Sequence, residues 1–176
     1  MRTLYTIAPL AVADADRAAI DAFRARHDPH ADVVEPHFTL VFACAAVAEA
    51  DYLAHARTVA AATPAIDFSC RYAMLGADGG NADGYVFLVP DEGHAALSRL
   101  HDRLHTGPLC AHLRLDLPFT PQVTIARCRE RTQAKALCDE LNAGALRIDG
   151  RVDALVVGTL EAGRFDAIAR CALAGG

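Results

Sequence analysis

An α+β fold of two duplicated lobes, each an antiparallel sheet flanked by helices around a central cleft, is what this 176-residue sequence predicts. Three observations carry the expectation. Strand-like and helix-like segments alternate up to residue 84, and the same order then starts again. The pentapeptides Pro36-His37-Phe38-Thr39-Leu40 and Pro121-Gln122-Val123-Thr124-Ile125 match in residue type at every position except one and fall at matching places in the two halves. Between the halves lies the strongest turn signal in the chain, the Gly- and Asp-rich stretch 76–84. The expected organisation is one bilobal unit over 1–176, with lobe one at about 1–78 and lobe two at about 84–176. Exchange of the closing strands between lobes is left open.

Each element has its own signal. The apolar run 2–8 closed by Pro9 suits a first strand. Asp14 reads as the N-cap of a helix ending near His27, before the Asp28-Pro29 break. A second strand covers 36–42, with His37, Thr39 and Val41 on one face, and a helix spans 49–62. The next strand, 65–75, places Ile66, Phe68, Cys70 and Tyr72 together. In the second half, strand 85–89 is closed by Pro90, and helix 91–105 carries Leu97, Leu100 and Leu104 on one side. Strand 120–127 is followed by helix 131–142, stopped by Gly144. The last strands are 146–148, 152–160 and 165–173, with Gly163 at the final hairpin turn.

Composition narrows the function. A net charge of −5 and an isoelectric point near 5.9 argue against a sequence-independent grip on long nucleic acid, while leaving room for one terminal phosphate. Lys135 is the only lysine, so Schiff-base chemistry and Walker-type phosphate binding lack material. Hydrophobic residues are 53% of the chain, but roughly a fifth of it is alanine. No apolar run approaches the ~18 residues of a membrane span. Six scattered cysteines without a C-x-x-C pair read as free, mostly buried thiols in a reducing cytoplasm, and offer no zinc-like spacing. The expectation is a cytoplasmic monomer without cofactor or metal. The apolar stretch 4–13 ends in a cleavage-like Ala-Val-Ala, but a single Arg2 is its only basic residue, against a secretory leader.

On a strand, residues i and i+2 share a face, so His37 pairs with Thr39, and Gln122 with Thr124. Two lobes related by a pseudo-two-fold axis would bring both pairs into one cleft. There two hydroxyls donate to a tetrahedral anion while an imidazole exchanges a proton.

The pattern resembles the 2H phosphoesterase superfamily, in particular its 2′-5′ RNA ligase-like (RNA 2′,3′-cyclic phosphodiesterase) branch, which carries two H-x-T motifs on the central strands of duplicated lobes. The similarity spans nearly the whole chain, including the approach Leu117-Pro118-Phe119-Thr120-Pro121. It implies metal-free acid-base hydrolysis of a 2′,3′-cyclic phosphate or a 2′-5′ linkage, in an RNA end or a small nucleotide. By resemblance His37 is a proton-transfer group, Thr39 and Thr124 are phosphate ligands, and Arg127 is a basic residue facing the phosphate. Tyr5 and Phe42 would stack on a base or ribose.

Gln122 departs from the pattern, since an amide donates a hydrogen bond but neither gives nor takes a proton near neutral pH. Three readings are open: a homologue that binds phosphate without turnover, an engineered inactive variant, or a proton supplied by His105 or His112. A non-catalytic nucleotide- or phosphate-binding module on the same scaffold is the alternative function. A third reading is an enzyme for another small phosphoester. The other histidines, His27, His30, His55, His94 and His101, read as solvated helix-surface or loop residues.

Overall fold

A computed structural model describes residues 2–77, 82–115 and 118–175. Its elements run β1 (Leu4–Pro9), β2 (Ala11–Val12), α1 (Asp14–His27), β3 (His37–Cys44), α2 (Glu49–Ala61), β4 (Ile66–Ala77), β5 (Gly84–Glu92), α3 (His94–Leu104), β6 (Val123–Cys128), α4 (Arg131–Ala143), β7 (Ile148–Val152), β8 (Ala154–Glu161) and β9 (Arg164–Ala172). A 3-10 turn, Gly107–His112, follows α3. The strands form two antiparallel sheets, ordered β3-β1-β8-β9 and β6-β5-β4-β7-β2. Among the described residues no helix is long and apolar enough to cross a membrane.

The sheets do not follow the chain halves. β4 lies before the Gly-rich stretch yet pairs with β5 and β7 of the second sheet, while β8 and β9 return to pair beside β1 in the first. A lobe boundary at residues 78–84 therefore cuts the sequence but not the sheets. Residues 78–81 of that stretch lie outside the described residues.

Read from the edges that meet, the two sheets correspond strand for strand: β3 with β6, β1 with β5, β8 with β4. The correspondence extends to an irregularity. Opposite β1, Ile7 pairs with Thr39 but Thr6 with Val41, so Leu40 is an extra residue. Opposite β5, Phe87 pairs with Thr124 but Val86 with Ala126, so Ile125 is extra. A bulge shifts the side-chain phase by one. Leu40 and Val41 thus both point into the core, as do Ile125 and Ala126, all nearly inaccessible. The residues sharing the other face become His37, Thr39 and Phe42 on β3, and Gln122, Thr124 and Arg127 in and before β6. Val41 is not on the face of His37, as simple alternation predicted.

Helices define which face is covered. α2 lies on the first sheet, where the hydroxyls of Tyr52 and Thr6 are 2.7 Å apart in the core. Ile7 and its partner Thr39 therefore face away from α2. α4 covers the second sheet. β7 reaches only as far as Cys70, and beyond it the side-chain amide of Asn142 both accepts from the N–H and donates to the C=O of Ala73, each at 2.8 Å. The backbone polar groups left by the short strand are thereby satisfied. The helices of the two halves cross over, α1 packing beside β6 and α3 beside β3. One hydrophobic core runs under both sheets, joined where Phe38 of β3 meets Phe68 of β4 edge to face, centroids 5.3 Å apart.

Several expectations change. Asp14 is the first helical residue and Ala13 the cap, with no side-chain cap bond. β5 runs through Pro90 to Glu92, and α3 starts only after Gly93, whose φ of 84° ends the strand. Gly144 closes α4 without adopting the left-handed conformation. The register shift in β4 turns Tyr72 outward, away from Ile66, Phe68 and Cys70. Five of the six cysteines are buried and Cys110 is exposed.

Candidate functional site

The first motif begins with a buried ion pair. Arg24 of α1 donates through Nε to Asp28 Oδ2 at 2.9 Å, both side chains almost fully buried. The rest of the guanidinium donates to the carbonyls of Val34 (2.9 Å) and His30 (3.2 Å), while Asp28 Oδ1 accepts from the His30 N–H. This fork ties residues 28–34 against α1 and delivers the chain to β3 at a fixed angle. The Phe165 N–H also donates to the Val33 carbonyl, and that of Leu10 to Pro36.

His37 inherits this fixed backbone. Its Nδ1 lies 2.7 Å from the Glu35 carbonyl oxygen, which only accepts, so Nδ1 carries the hydrogen. Nε2 then bears the lone pair of the neutral ring, and Thr39 Oγ1–H donates to it at 3.1 Å. Burial pushes the His37 pKa below its ordinary 6.5, and the nearby Arg24 charge adds to this against the Glu35 carbonyl bond. The ring is held neutral, in one tautomer, with Nε2 on the helix-free face.

β3 and β6 are the edges at which the two sheets approach. Gln122 and Thr124 are both half-buried, as are His37 and Thr39. Thr124 pairs with Phe87, and Arg127 with Tyr85. Arg127 Nε donates to Asp83 Oδ2 at 2.7 Å, and its guanidinium lies 5.8 Å above the Tyr85 ring. Tyr5 is half-buried on the same face as Ile7 and Thr39, and Phe42 is exposed.

Sequence reading missed Tyr85. It stands in the second sheet where Tyr5 stands in the first: Tyr5 pairs across to Gly158, and Tyr85 to Gly76. Both glycines are roofed by phenyl rings, Phe165 and Phe87, leaving no room for a Cβ. The signal was present as the parallel between Leu4-Tyr5-Thr6-Ile7 and Gly84-Tyr85-Val86-Phe87.

The other histidines divide. His101 is buried, contrary to the surface expectation; its ring stacks on Phe119 with centroids 3.8 Å apart. Burial lowers its pKa against an Asp102 hydrogen bond. His55 is half-buried on α2, its Nε2 donating to the Leu104 carbonyl at 3.0 Å. His105 donates from Nδ1 to the His101 carbonyl at 2.9 Å and lies next to that α2 tether. The 3-10 turn holding His112 also packs on α2, on the covered side of the first sheet. Among the described residues, no group of three or more His, Cys, Asp or Glu side chains is arranged to hold a metal ion.

Residues 12–164 match the family model of the 2′-5′ RNA ligase superfamily. The chain belongs to that superfamily. No curated protein sequence matches it. Among solved structures, a phosphoesterase crystal structure superposes with a TM-score of 0.64 at 18% identity, over 98% of each chain. E. coli LigT complexed with 3′-AMP gives 0.61 at 17%, also over 98% of each chain. Kluyveromyces marxianus Usb1 gives 0.60 at 8%, over 95% of this chain and 97% of that one. At these identities the likeness establishes the fold. Membership gives a 2H phosphoesterase scaffold, and the two Pro-x-x-Thr segments lead into the bulged strands β3 and β6.

Proposed function

We propose that this member of the 2′-5′ RNA ligase superfamily is a metal-free phosphodiesterase for 2′,3′-cyclic phosphates, or 2′-5′ linkages, at RNA ends or in small nucleotides. The observation carrying this reading is the state of His37: neutral, with Nδ1–H committed to Glu35 and the Nε2 lone pair on the helix-free face. That is the protonation state of a general base. On binding, the Thr39 hydroxyl turns from Nε2 to a phosphate oxygen, Thr124 donates from the other strand, and Arg127, its Nε held by Asp83, offers its remaining N–H groups. Nε2 then takes the proton of a water whose oxygen attacks phosphorus, and the bond from phosphorus to the ribose oxygen breaks. The departing alkoxide needs a proton from the opposite side. Gln122 offers a hydrogen bond there but no transferable proton, so turnover is slow.

The capture of 3′-AMP by E. coli LigT supports a nucleotide as ligand. The test is hydrolysis of a 2′,3′-cyclic nucleotide in the presence of chelator. Measurable turnover abolished by His37→Ala supports the reading. Gln122 favours one alternative, a nucleotide-binding module without turnover, which would bind the same ligand and leave it intact.

A further inference from the structure

Arg127 carries the motif face into a cavity of about 710 Å³ at the C-terminal end of β6. The last turn of α1 and the start of α4 complete its walls. Arg26 and Arg129 line it with Arg127, and three carboxylates, Asp28, Asp83 and Glu130, also reach it. Asp28 is engaged by Arg24 at 2.9 Å, and Asp83 by Arg127 at 2.7 Å. The remaining lining charges are two guanidinium groups and one carboxylate, Glu130. No Phe, Tyr or Trp lines the cavity, whereas Tyr5 and Phe42 lie on the face of the first sheet. The volume falls in the ordinary range of small-molecule sites.

Spacing links the cavity to the central motif. Because Ile125 is bulged, Thr124 and Arg127 are two strand steps apart, about 7 Å, and Arg129 lies roughly as far again. Thr124, Arg127 and Arg129 thus follow one another along β6 and just past its end at about one nucleotide's reach. Guanidinium groups match phosphate oxygens through paired N–H donors.

We propose that this cavity is a second-phosphate site, taking the 5′-phosphate or the next phosphodiester of a nucleotide whose reacting phosphate lies at Thr39 and Thr124. It rests on the phosphodiesterase reading of the central face and makes nucleotides carrying a second phosphate, such as a phosphorylated RNA end, the preferred substrates. The base then lies toward Tyr5 and Phe42, and the phosphate chain runs along β6 toward Arg129.

Calorimetric titration of the protein with adenosine 2′-monophosphate and adenosine 2′,5′-bisphosphate tests this at low salt. The bisphosphate binds about tenfold tighter, the scale of one added charge-assisted contact. An R26A/R129A variant removes that margin and leaves monophosphate affinity unchanged; both residues are exposed, and thermal unfolding verifies the fold. Equal affinity for the two probes, or equal weakening of both in the variant, overturns the second site while the central one stands. If neither probe binds, the phosphodiesterase reading falls and takes the second site with it.

Discussion

The backbone carbonyl of Glu35 accepts the Nδ1 hydrogen of His37 at 2.7 Å. This bond fixes the tautomer, and its geometry depends on a loop whose conformation is set ten residues upstream by Arg24. The Nε2 atom to which the proposed proton transfer is assigned is therefore oriented by the buried Arg24–Asp28 ion pair.

The acid limb of kcat/KM lies below pH 6.5, the ordinary value for histidine, because burial lowers the His37 pKa and the ring acts in its neutral form. A pH-rate profile checks this, and an acid limb above 6.5 contradicts it. The same shift bears on stability. The unfolded chain takes up a proton as pH falls through 6.5 and the native state resists, so His37 burial lowers stability on acidification.

Arg24→Met leaves the Asp28 carboxylate buried without its partner and frees the carbonyls of His30 and Val34. A loss of about 3–5 kcal/mol is expected, the cost of breaking a buried pair from one side. Urea denaturation measures it. A change within about 0.5 kcal/mol would mean that the loop holds itself.

Gly158→Ala destabilises by about 1–3 kcal/mol, the scale of overpacking. A Cβ there would come within 2.5 Å of the Phe165 ring and 2.6 Å of the Asp166 carbonyl oxygen. Gly144→Ala is the control, since its nearest neighbour is 3.5 Å away and its φ is −86°. Thermal unfolding of the two variants side by side should separate them, and equal midpoints would contradict the packing argument.

What the sequence made legible was periodicity. His37 and Thr39 share a face because i and i+2 do within a regular stretch of strand, Gln122 stands just before β6, and the repeat of Pro-x-x-Thr located both motif strands. The bulges were not legible. Leu40 and Ile125 are ordinary strand residues, and only the pairing with β1 and β5 shows that each is extra. Their effect is to bring Phe42 and Arg127 onto the motif faces. The Arg24–Asp28 ion pair is not legible either, since nothing local says that both side chains are buried. The burial of His101 is not legible locally, because the sequence does not show that Phe119, eighteen residues on, folds back onto it. The exchange of β4 against β8 and β9 is a long-range choice, left open by local signals.

The central claim is that the His37 side of the site is complete and the Gln122 side lacks a proton. Hydrolysis of a 2′,3′-cyclic nucleotide by the protein beside its Gln122→His variant tests this most directly. A gain of roughly 10²-fold or more in kcat with little change in affinity is expected, the gain being lost again when His37→Ala is added. No gain from Gln122→His, together with loss of an existing activity in His105→Ala or His112→Ala, would place the proton donor elsewhere and contradict the assignment of the second motif.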